Sequence, residues 1–282
     1  MLLALAAAVS WGVSDFLGGL NSRHVALAAV LLITQVVGLL VLLPLAVVHG
    51  GPSLEPMHVA FAVGGSLMGL LGIAALYRAM AIGSLSIVAP ISATGAALPV
   101  VLGLLRGEQA TWLQTVGIVL VLVGIVLASR ASSDLSEPES GRRLNVGPGV
   151  GLAVLAALGF GGFFVLLHEA SARDVLWAGV IQRLTGVITM SLLVVLWLRP
   201  DLRPARTRAL TLLISGTLDT GANVLYAAAS VSGLVSLAAV LASLYPVVTV
   251  LLARSVLRER MSVSQGCGVV CALGGVACIA LQ

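Results

Sequence analysis

Residues 66–77 read SLMGLLGIAALY and residues 215–226 read SGTLDTGANVLY. Both begin with Ser, carry Gly at the seventh place and end in Leu-Tyr. Laid one on the other they set an offset of 149 residues, and the offset extends beyond them. Ala4, Ala7, Ala8, Gly12 and Leu17 fall on Ala153, Ala156, Ala157, Gly161 and Leu166. Further along, at an offset of 151, Ser92, Glu108, Gln114, Gly117 and Gly124 fall on Ser243, Glu259, Gln265, Gly268 and Gly275. A two-residue insertion between about 86 and 92 accounts for the change. One unit is written twice.

The solvent of that unit follows from composition. Of 282 residues, 59% are hydrophobic and only 9% charged, with a mean hydropathy of +1.13. A soluble domain carries about a quarter charged residues, so this chain is expected to lie in a lipid bilayer. About 20 apolar residues cross a bilayer as a helix. Such runs number ten, at about 2–20, 26–48, 58–79, 84–105, 112–129, 148–168, 174–198, 207–230, 234–253 and 263–281. Trp112, Trp177 and Trp197 stand near run ends, where interfacial anchors belong. The first run lacks a basic leader, and its match in the sixth argues against a cleaved signal peptide.

The repeat therefore holds five spans. Five is odd, so the second copy must enter the membrane from the opposite side. The expected fold is an all-α integral membrane protein of ten transmembrane helices in two inverted five-helix repeats. These are residues 1–129 and 148–282, joined by a polar linker over 130–147. Inverted repeats are a signature of secondary transporters, with a substrate site near the midplane between the halves.

The residues also resemble a family. "LAAAVSWGVSDFLGG", "LYRAMAIGSLSIVAPISA" and "VLASLYPVVTVLLARSVLRERMSVSQGCGVVCALGGV" look like the EamA-type repeat of the drug/metabolite transporter superfamily. The resemblance covers nearly the whole chain. It implies ten helices, movement of a small metabolite or drug-like solute by alternating access, and a cavity lined by both halves. One departure is Gly95 where the second half has Pro246.

Asp219 raises the sharpest question, because an ionised carboxylate at mid-bilayer costs at least about 3 kcal/mol. At 100° per residue, Ser215, Asp219, Asn223, Tyr226 and Ser230 share one arc of about 80°. The counterparts of Asp219 and Asn223 are Leu70 and Ala74, so the scaffold does not require polar groups there. The stripe is expected to face a watery cavity; a buried strut between helices is the other reading. Asp219 alone on it can change charge, which makes it the candidate for proton coupling. Arg183 lies deep in the seventh run beside Gln182, and Gln35 is its approximate repeat partner. Arg183 is expected to pair with Asp219 or to meet an anionic group of the substrate. Asp15 sits about five residues from the end of the first run, one turn after Trp11. Tyr77 and Tyr226 recur in both halves, as do Ser92 and Ser243, which stand close to Pro90, Pro99 and Pro246. Broken helices can present backbone dipoles to a substrate.

Other chemistries find little support. His24, His49, His58 and His168 are scattered without metal-ligand spacing. The three Cys share one face of the last run, where small residues pack. Motifs of intramembrane proteases and metalloenzymes are missing, so neither enzymatic activity nor a cofactor is expected. An intramembrane enzyme and a non-transporting scaffold or receptor remain the alternatives, separable by a flux assay. All 15 basic residues are Arg, which reads as the codon bias of a GC-rich bacterial genome and not as nucleic-acid binding. The expected setting is the cell membrane, multi-pass, with an exported small solute as partner. All Arg but Arg106, Arg173 and Arg183 fall in or at the edge of the first, third, fifth, seventh and ninth loops. Positive charge marks the cytoplasmic side, which places both termini outside; the family resemblance leans the other way.

Overall fold

The computed structural model describes residues 1–82, 91–128, 146–256 and 262–280. Among these the chain is helical, without strands. We number the membrane-scale helices α1 (Leu2–Ser22), α2 (Leu27–His49), α3 (Pro56–Ile82), α4 (Ile91–Leu105), α5 (Trp112–Ala128), α6 (Val146–Ser171), α7 (Val175–Leu193), α8 (Ala209–Val231), α9 (Val235–Val256) and α10 (Val263–Ala280). Six segments are long and apolar enough to cross a membrane: α1, α2, α9, most of α3 and α6, and α7 with the π turn that follows it. Helix is the form in which such sequences close every backbone hydrogen bond internally, as lipid demands. Although α8 has 23 residues, it is not among the six. Its polar stripe lowers its hydropathy.

The helix ends are written in the sequence. Asp174 caps α7, its Oδ1 accepting from the backbone N–H groups of Leu176 and Trp177 at 3.0 Å. Before α5, the Thr111 N–H donates to Gln114 Oε1 at 2.9 Å while the Gln114 N–H donates to Thr111 Oγ1 at 3.3 Å. Before α10, Ser262 and Gln265 make the same reciprocal box at 3.0 and 3.3 Å. The repeated Gln is thus a capping residue in both halves. Helix α9 breaks at Ser243–Leu244, just before Tyr245 and Pro246. Proline has no N–H to give the carbonyl one turn back, so the break falls where the sequence places it. In α4 the corresponding stretch tightens into a 3₁₀ turn at Thr94–Ala96.

Packing between halves follows a pattern of exchange. A methyl group on Gly117 would come 2.8 Å from the carbonyl of Gly275, and one on Gly275 would come 2.7 Å from that of Gly117. Gly124 and Gly268 bear the same mutual relation, each 2.7 Å from the other's carbonyl. Rising numbers on α5 meet falling numbers on α10, so the two helices run antiparallel, in contact through bare backbone. Helices α3 and α6 are likewise antiparallel, with Gly65 against Leu166 and Gly72 against Phe160. So are α1 and α8, with Asn21 near Thr211 and Trp11 near Asn223. In the centre, Gly38 of α2 lies against Arg183 of α7, and Gly186 of α7 lies against Gln35 of α2.

Most of the linker, Pro90 and Glu259 lie outside the described residues, as does the Tyr77 side chain.

Candidate functional site

A cavity of about 380 Å³ opens between the halves. Helices α1, α2, α7 and α8 give it a polar wall. Helices α3 and α6 give it an apolar one, chiefly Leu70, Ile73, Leu76, Phe160 and Phe163. The volume lies within the range of small-molecule sites.

Arg183 organises the polar wall. It is 2% exposed, and its Nη2 stands 2.7 Å from Asp219 Oδ2, whose side chain is 30% exposed. Its Nη1 donates to Gln35 Oε1 at 3.1 Å. The stem crosses α2 at Gly38, where a methyl group would come 3.0 Å from Cδ. Nε finds no acceptor among the described residues, and Nη2 meets Asp219 outside hydrogen-bond geometry. A buried cation with two such nitrogens depends on the one carboxylate beside it. The expected approach of Arg183 to Asp219 is therefore direct contact.

The rest of the stripe is engaged in holding helices together. Asn223 Oδ1 accepts from Trp11 Nε1, and its Nδ2 donates to Gln182 Oε1, both at 3.0 Å. Ser215 Oγ donates to the Ser14 carbonyl at 3.1 Å, and Ser14 Oγ donates to the Ser215 carbonyl at 2.9 Å. These residues line the cavity and also bind α1 and α7 to α8.

Tyr226 corrects the stripe as read from the sequence. It is fully buried, does not line the cavity, and donates to the Phe164 carbonyl at 2.9 Å. Seven residues beyond Asp219 along the helix, it points into the aromatic cluster of Trp11, Phe163, Phe164 and Tyr245 that floors the site. Ser92 and Ser243 also fall outside the main cavity. Both line a separate recess of about 10 Å³ beside Pro246, room for about one water.

Asp15 is the reverse case. It lines the cavity, is exposed there, and has neither cation nor hydrogen-bond donor on its carboxylate among the described residues. The sequence also hinted at the aromatic floor and wall, in "GFGGFF" (159–164), where small residues alternate with Phe.

The cavity lies off-centre between the two ends of the helices. Its lining reaches Gly19 on α1 and Leu27 on α2, towards the loop between them. In the other direction Ala4, Ala7, Ala8, Ala227 and Ala229 are buried core. Beyond that core the halves are tied together. Arg106 pairs with Glu169, Arg173 with Glu55 at 2.6 Å, and Ser53 donates to Asp174 at 3.1 Å. Trp177 Nε1 donates to the Gly50 carbonyl at 3.0 Å. Glu108, from the loop after α4, accepts from the N–H groups of Val235 and Ser236 at 2.7 and 3.2 Å and so caps α9.

One solved crystal structure, titled only as that of a protein, superposes with a TM-score of 0.79 at 18% identity, covering 99% of this chain and 96% of that one. It shares the fold. No curated protein matches the chain. The EamA-like transporter family matches over residues 1–130 and 147–281. With membrane-competent helices around a solute-sized cavity, the chain belongs to the EamA-like transporter family, within the drug/metabolite transporter superfamily.

Proposed function

We propose that the protein is a secondary transporter of the cell membrane that exports a small solute by alternating access between two inverted five-helix repeats, residues 1–129 and 148–282. The observation that carries the reading is the cavity shared by both halves, reaching towards one face, with ties between the halves at the other. The reciprocal glycine contacts support inversion: Gly117 meets Gly275 as Gly268 meets Gly124, which is how a two-fold axis places equivalent residues. An axis across antiparallel equivalent helices lies in the membrane plane.

The open side bears the loops richest in Arg, which the charge rule makes cytoplasmic. A cavity open to the cytoplasm is in position to load a solute for export. Proton coupling belongs to the same proposal. Asp219, its first candidate, already has Arg183 as a counter-charge.

The test is counterflow in proteoliposomes loaded with a metabolite and drug mixture, comparing wild type with Leu70→Trp, which fills the cavity. Saturable exchange in wild type and its loss in a folded Leu70→Trp protein is the expected result. Wild-type vesicles no leakier than empty ones for any solute would return the reading to the scaffold or enzyme classes.

A further inference from the structure

Resting on the transporter reading, we propose that Asp15 is the anchor for a cationic amine, and that the favoured solutes are amphipathic monocations that lack a carboxylate. The polar wall is largely committed. Gln35 accepts from Arg183, Asn223 is held between Trp11 and Gln182, and Ser14 and Ser215 bond each other. Arg183 and Asp219 balance one another in charge. Among the described charged residues that line the cavity, this leaves Asp15 with its charge unmatched. The formal charge of the site is then −1, from two carboxylates and one guanidinium.

A ligand that restores balance brings one positive charge. An anion gains nothing, because the one cation of the wall is 2% exposed and already faces Asp219. A zwitterion would have to pull Arg183 from that contact to satisfy its carboxylate. The body of the ligand is specified by the opposite wall. Leu70, Ile73, Leu76, Phe160 and Phe163 offer carbon and ring surface, which suits an aromatic or branched group. Trp11, one helical turn before Asp15, adds a ring face to the cation's surroundings.

The test uses protein in nanodiscs at neutral pH and four probes of one size: phenethylamine, 2-phenylethanol, 3-phenylpropionate and L-phenylalanine. Calorimetry is expected to rank the amine first, about tenfold or more over the alcohol. Asp15→Asn should bring amine and alcohol level, while Asp15→Glu keeps the preference. The proposal is overturned if the wild type binds alcohol as tightly as amine, prefers phenylalanine, or shows no amine binding up to about 10 mM. It is equally overturned if a folded Asp15→Asn protein retains the preference. Failure of the transport reading looks different: selective amine binding in nanodiscs with no flux in vesicles.

Discussion

At the scale of single residues, Asp219 and Arg183 share a contact but not a fate. Arg183 is 2% exposed and Asp219 30%, so the carboxylate has access to cavity water and the guanidinium does not. Removing the carboxylate leaves a buried cation without a counter-charge, a loss of about 3–5 kcal/mol. We therefore expect Asp219→Asn to lower stability more than Arg183→Gln, and the double variant to recover part of the loss. Thermal unfolding in detergent, set out as a double-mutant cycle, measures the coupling; additive effects would argue against the contact. The polar stripe on α8 was legible because a helix repeats its face at fixed angles. What each stripe residue touches was not legible. Residues that share a face still differ in depth, and Tyr226 lies about 10 Å further along the axis than Asp219, so Asp219 looks into the cavity while Tyr226 packs under Trp11. Asp15 could be found but not ranked, since its standing rests on a cation that is not beside it.

At the scale of helices, the ends were better marked than the interiors. Thr111-x-x-Gln114 and Ser262-x-x-Gln265 each precede an apolar run, the pattern of a capping box, and each forms one. The breaks near Pro246 and before Pro99 were visible for the same covalent reason. Glu108 was visible as a repeated residue, but its target, the start of α9, lies 127 residues away. No local pattern reports such a distance. Glu108→Ala leaves the N–H groups of Val235 and Ser236 without their acceptor and should cost about 1–3 kcal/mol. Hydrogen exchange at those two amides is the readout, with faster exchange expected in the variant. Rates unchanged from wild type would mean that water replaces the cap without loss.

At the scale of the molecule, the proposed alternating access requires the ion pairs beyond the buried core to part. Linking Glu55→Cys to Arg173→Cys with a short thiol cross-linker, in a background without Cys267, Cys271 and Cys278, should arrest flux. Cleaving the linker should restore it. Undiminished flux in the linked protein would show that this face never parts. Orientation has its own measurement. Single Cys residues placed in 199–208 should react with an impermeant maleimide only in opened cells; labelling of intact cells would reverse the assignment. The all-helical, membrane-competent character could be read from the chain alone, because it is carried by composition and by the length of the apolar runs. The cavity's depth and the face it opens on could not, since both depend on how the halves tilt.

The meeting of Gln35 and Arg183 bears on ancestry. The two are approximate counterparts in the repeat, and each lies against the other's glycine, Gly38 or Gly186. Had two separate copies of one five-helix ancestor assembled here, the same side chain would have met itself. In this chain, arginine at both places would put two buried cations together with a single carboxylate, Asp219, between them. Within one chain, one half holds the guanidinium while the other keeps an amide to receive it. Gln35→Arg would undo that division of labour, and such a protein should fail to accumulate in the membrane.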